Sequence, residues 1–117
     1  MRIAHIAFDA ADTLEAARFW AGVTGWGVSP DSTATLAVVG GPQRPRDTPA
    51  MLFNRVPEGK VAKNRVHIDL ETDDLEAETQ RLLGLGATFI HDKFEYDTQW
   101  STFADPEGNE FCVVQKA

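Results

Sequence analysis

The side chains of this 117-residue sequence with the most chemistry to offer are three histidines and one cysteine, set among carboxylates. His5 lies in the apolar run Ile3 to Phe8, and His67 in Val66 to Leu70. Successive strand residues point to opposite faces. His5 therefore shares a face with Ala7, away from Ala4, Ile6 and Phe8, and His67 shares one with Asp69, away from Val66, Ile68 and Leu70. An imidazole on the open face of a strand can ligate a metal or move a proton. Asp69 is placed to orient the His67 ring by a hydrogen bond. Glu110 and Cys112 share a face of the closing strand by the same alternation. Ordinary packing is the competing reading, since a buried cysteine behaves as a small hydrophobe. His91, beside Asp92, reads as a solvated loop residue. No glycine-rich phosphate loop, Ser-His-Asp order or CxxC pair gives those chemistries a starting point.

Composition narrows the field. Eighteen acidic residues against 11 basic ones leave −7 at pH 7, a poor match to a polyanionic partner, so nucleic acid is not expected. A lone cysteine cannot close an intramolecular disulfide, which points to a reducing, cytoplasmic compartment. No apolar run approaches the roughly 18 residues that span a bilayer. The opening residues show no apolar signal segment, and no membrane partner is expected. Six of the 11 basic residues, Arg44, Arg46, Arg55, Lys60, Lys63 and Arg65, fall in one central stretch, which reads as a solvated connection or a rim for an anion.

The elements that must position these groups come twice. Ile3 to Phe8 predicts a strand, and Asp12 with Glu15 a capping box. Ala16, Phe19, Trp20 and Val23 then form a helical stripe that Gly25 stops. Trp26 is expected to pack at a strand edge. Strands are predicted at 34–39 and 51–56, separated by a proline-rich loop. The pattern restarts with a strand at 66–70 and a capping box of Asp73 and Glu76. Leu75, Thr79, Leu82 and Leu83 make the second stripe, closed by Gly86. Further strands are predicted at 87–90, 100–104 and 110–114, the last after the turn Asp105-Pro106-Glu107-Gly108-Asn109. Superposing His5 on His67 aligns Gly25 with Gly86 to within one residue, so two strand–helix–strand–strand–strand halves are expected.

His5-Ile6-Ala7-Phe8-Asp9, Phe19-Trp20 before Gly25-Trp26, Asn64-Arg65-Val66-His67-Ile68-Asp69-Leu70, Gly84-Leu85-Gly86-Ala87 and Asp105-Pro106-Glu107-Gly108-Asn109-Glu110-Phe111 together resemble the vicinal oxygen chelate superfamily. That group contains glyoxalase I, bleomycin-resistance proteins and extradiol dioxygenases, and the compact glyoxalase-like type is the nearest match. The resemblance covers nearly the whole chain. It implies an α+β fold in which two βαβββ modules, with eight strands, form curved mixed sheets around a pocket, helices outside. The modules would be 1–57 and 66–117, joined by 58–65, in a single domain 1–117. A homodimer is also implied.

Metal-dependent members hold a divalent ion between first-strand histidines and a last-strand glutamate. The resemblance carries the histidine role onto His5 and His67. The glutamate position, seven residues beyond Asp105, holds Cys112 instead, and Leu52, Phe53 and Asn54 offer no acid in the first module. Two neutral imidazoles do not compensate the charge of Mg²⁺, Mn²⁺ or Fe²⁺, whereas histidine with thiolate suits Zn²⁺. The ligand set is therefore read as incomplete: no resident cofactor is expected, with a divalent metal at His5 and His67 as the alternative. The expected pocket lining is His5, Ala7, Phe53, His67, Asp69, Glu110 and Cys112, with Trp100 as an aromatic wall. Two functions compete. One is a binder of a small organic molecule, planar or cationic given the acidic chain and Trp100. The other is a metal-dependent lyase, isomerase or dioxygenase acting on a vicinal-oxygen substrate.

Overall fold

A computed structural model describes residues 1–115, which fall into two compact units, one spanning Met1–Gly59 and one beginning at Lys60. The boundary lies inside the polar stretch 58–65.

In the first unit β1 (His5–Ala10) leads into α1 (Thr13–Thr24), followed by β2 (Leu36–Val39) and β3 (Ala50–Arg55). The helix begins where Asp12 accepts a hydrogen bond from the Glu15 amide at 3.0 Å, and it ends at Gly25, whose φ of 78° continues no helix. The sheet runs β1-β3-β2, with β1 parallel and β2 antiparallel to β3. Ala16, Ala17, Phe19 and Trp20 bury the inner face of α1. Trp20 stacks on Phe8 and Phe8 on Phe53, with ring centroids 6.0 and 5.1 Å apart. Burying one such side chain is worth about 1.5–3 kcal/mol, so this aromatic stack is a main anchor of the unit.

Seven strands, not eight, occur among the described residues. The missing one is reduced to a single bridge, Val28 to Val39. Pro30 lacks an amide to continue that pairing, and Ser29 to Ser32 turns away through a 3.0 Å backbone bond. Trp26 packs on the backbone here. A Cβ on Gly40, whose φ is +94°, would come within 2.7 Å of the Trp26 ring.

The second unit contains β4 (Ile68–Thr72), α2 (Leu75–Leu85), β5 (Thr88–Glu95), β6 (Thr98–Ala104) and β7 (Glu110–Gln115). Its sheet runs β4-β7-β6-β5, again with the first and last strands parallel. The repeat expected from the sequence is thus present as connectivity: β1 beside β3, β4 beside β7. Phe103, Phe111, Val113, Leu75 and Leu82 form the core. Both units are α+β with mixed sheets.

Two local expectations are corrected. The α2 cap is Asp74, which accepts from the Ala77 amide at 3.0 Å, and not Asp73. Gln115 accounts for the shift, because its side chain takes the Leu75 amide and donates to the Asp73 carbonyl. The region 91–99 is a hairpin, not a loop. Tyr96 and Asp97 both take positive φ, 55° and 56°, the geometry of a two-residue turn whose twist matches that of its strands.

Candidate functional site

Register builds the site. Asp69 on β4 lies opposite Cys112 on β7, Cys112 opposite Thr102 on β6, and Thr102 opposite His91 on β5. Directly paired residues point to the same face, so these four side chains form one polar row across the sheet, opposite the core residues Phe103, Phe111 and Val113. A second row places Val114 beside Trp100 and Trp100 beside Lys93. With His67, Glu110, Lys63 and Asn64 these residues line an open cavity of about 390 Å³.

The mouth is held by the chain entering β4. The Asn64 carboxamide oxygen accepts from the Glu110 amide at 2.9 Å, and its nitrogen donates to the Asn109 side chain at 3.2 Å. Asp105 fixes the turn before β7, accepting from the amides of Glu107 and Asn109 at 3.0 and 2.8 Å. Lys63 Nζ lies 3.6 Å from Glu110 Oε1. The lining sets two lysines against two carboxylates, so a ligand here does not meet the acidic balance of the whole chain.

The chemistry concentrates on three groups. His67 Nδ1 lies 2.9 Å from Asp69 Oδ1, with both side chains about half exposed. Cys112 Sγ lies 3.3 Å from the Thr102 hydroxyl. His67, Asp69 and Cys112 each offer a donor atom, and these atoms lie within 4.8 Å of one another. Burial pushes the Cys112 thiol above its ordinary range; the nearby carboxylates of Asp69 and Glu110 push the same way, against the Thr102 hydrogen bond that lowers it.

Several residues sit elsewhere than expected. His5 and Ala7 are exposed on β1 in the first unit. Phe53, expected in the lining, is a core residue: it is 1% exposed and stacks on Phe8, so its ring belongs to the side of the sheet that α1 covers. His67, Asp69, Trp100, Glu110 and Cys112 do line one cavity. His91, read as a solvated loop residue, is a strand residue that lines it too. Lys63, Asn64, Lys93, Thr102 and Val114 line it as well and were not among the expected lining residues. Extending the alternation from Trp100 finds Thr102, but Lys93 and His91 need the hairpin register. Cys112 stands where the resemblance places a carboxylate, and its direct partner Asp69 on β4 brings one to the same face.

A strand–helix–sheet plan that occurs twice, with imidazole, thiol and carboxylate side chains on one face of the second sheet, is the pattern that defines the class. Residues 5–114 match the glyoxalase-like domain family, and the chain belongs to it. No curated protein is significantly similar in sequence. Among solved structures, a glyoxalase/bleomycin resistance protein/dioxygenase family enzyme from Burkholderia phytofirmans PsJN matches with a TM-score of 0.80 at 13% identity, covering 98% of each chain. The fosfomycin resistance protein FosX from Mesorhizobium loti matches with 0.72 at 14%, covering 98% of this chain and 92% of that one. A lactoylglutathione lyase from Agrobacterium tumefaciens matches with 0.67 at 19%, covering 97% and 92%. At these identities the likeness is one of fold.

Proposed function

We propose that this chain binds a small organic molecule on the open face of its C-terminal sheet. The observation that carries the reading is the cavity lining, where Trp100 and Val114 supply apolar area beside a few polar groups able to orient a ligand. Small-molecule sites have this composition, and about 390 Å³ falls in their usual range. Trp100 favours a planar ligand through stacking. A thermal-shift screen in EDTA tests the reading, because a ligand specific to the folded state raises apparent stability. Antibiotics including fosfomycin, catechols, thiol adducts of 2-oxoaldehydes and small acids are suitable probes. A hit that Trp100→Ala abolishes supports the reading; failure of every class overturns it.

The donor group His67, Asp69 and Cys112 favours a second reading, a metal-dependent lyase, isomerase or dioxygenase. Hits that require added metal, with turnover, would establish it. The proposal includes a cytoplasmic homodimer. Support comes from the single free thiol, suited to a reducing compartment, and from the prevalence of two-fold assemblies. Sedimentation at micromolar concentration tests the dimer.

A further inference from the structure

We infer that the C-terminal unit alone carries a metal site selective for thiophilic ions, with His67, Asp69 and Cys112 as its donors and Zn²⁺ as the fitting ion. The argument begins with position. Asp69 and Cys112 are direct partners in the parallel pairing of β4 and β7, and His67 precedes β4 on the same alternating face. Their donor atoms already lie within 4.8 Å of one another. Coordination bonds of about 2.0–2.3 Å set the ligand atoms of one tetrahedral ion about 3.3–3.8 Å apart, so the three donors need to draw in by about 1 Å to close on an ion.

Charge is the second step. A thiolate and a carboxylate bring two negative charges to a neutral imidazole, which matches a divalent cation. The charge deficit that the sequence suggested, two imidazoles without an acid, does not apply to this set. Softness is the third step. Sulfur and imidazole nitrogen suit Zn²⁺, Cd²⁺ and Co²⁺, while Mg²⁺ requires about six oxygen ligands in strict geometry. Asp69 supplies one oxygen, but the sulfur and nitrogen beside it are donors that a hard ion disfavours.

The surroundings support the set. The Thr102 hydroxyl, 3.3 Å from Sγ, can donate to the metal-bound sulfur, and the cavity leaves a side open for solvent or a ligand. Three protein donors with one open position is the pattern of zinc sites that keep room for a reactant. None of the donors comes from the unit that holds His5.

The test needs no substrate and is independent of the ligand screen, which is run in EDTA. The full chain, freed of metal and kept reduced, is titrated with Cd²⁺ and Co²⁺ while the sulfur-to-metal charge-transfer absorption is followed. One equivalent is expected to saturate the band. Zn²⁺ should displace the probe, and Mg²⁺ or Mn²⁺ in hundredfold excess should not. Cys112→Ser should remove the band, and His67→Ala or Asp69→Asn should weaken binding tenfold or more, each variant being checked for a native circular-dichroism spectrum. His5→Ala should leave binding unchanged. Absence of a band, an equal band in His67→Ala and Asp69→Asn, loss of it in His5→Ala, or displacement by Mn²⁺ would each overturn the inference.

Discussion

Asp69 on β4 and His67, the residue just before that strand, meet through a 2.9 Å contact between Oδ1 and Nδ1. An ionised carboxylate only accepts, so in neutral His67 the proton sits on Nδ1 and leaves Nε2 as the free lone pair. Nitrogen-correlated NMR of the metal-free protein should show His67 as the Nδ1–H tautomer. Asp69→Ala should return it to the Nε2–H form that free imidazole prefers. An unchanged tautomer in the variant would mean that the carboxylate does not set the ring.

Asn64 ties the segment before β4 to the first residue of β7 through both ends of its carboxamide. Asn64→Ala removes both bonds and leaves the Glu110 amide without this partner. The expected cost is about 1–2 kcal/mol, read as a fall in melting temperature of about 4 °C or more. Asn64→Asp keeps an acceptor for the amide but loses the donor to Asn109, so it should lie between the two. An Asn64→Ala melting point equal to that of the parent would show that water replaces the carboxamide without loss.

Cys112 should be a slow nucleophile in the metal-free protein. Burial raises its pKa first, and the charges of Asp69 and Glu110 add to that. The thiolate is the reactive form, so at mildly alkaline pH alkylation by iodoacetamide in EDTA should lag behind that of an unfolded cysteine peptide. The rate should climb at a pH above the peptide's midpoint. The variants move in opposite directions. Asp69→Asn removes a neighbouring charge and should lower the midpoint, while Thr102→Val removes the bond that favours thiolate and should raise it. A midpoint at or below the peptide's would contradict the arrangement.

The fold was legible in the sequence because amphipathic periodicity and capping chemistry are local. Asp12, Gly25 and the stripe through Phe19 and Trp20 announce α1 without tertiary information. The site was legible only where alternation is clear, as at His67, Asp69 and Cys112. It stopped short on β5: the strand predicted at 87–90 runs on to Glu95, and the exposed residues from His91 onward carry no apolar alternation to detect. Ending the strand at Ile90 hid His91 and Lys93. Phe53 misled for a different reason: its parity follows from its pairing with Phe8, and pairing is non-local. Asp74 displaced Asp73 as the cap through Gln115, 41 residues away in sequence by the difference of 115 and 74.

The β5–β6 hairpin that places His91 and Lys93 turns through Tyr96 and Asp97, both in the left-handed region. Left-handed backbone costs an ordinary L-residue about 1–2 kcal/mol, and asparagine or glycine much less. Tyr96 is also 91% exposed, so little packing offsets that cost. Tyr96→Asn combined with Asp97→Gly gives the sequence best suited to this turn, and the double variant should unfold about 1 kcal/mol later than the parent. Glycine also widens the unfolded ensemble, so Tyr96→Asn alone should account for a good part of the gain. Amide exchange at Lys93 and Trp100 should slow in the variant, since the pair lies next to the site and opens with the hairpin. If the double variant melts lower than the parent, or exchange at Trp100 quickens, Tyr96 or Asp97 contributes something to the folded hairpin that its backbone geometry does not reveal.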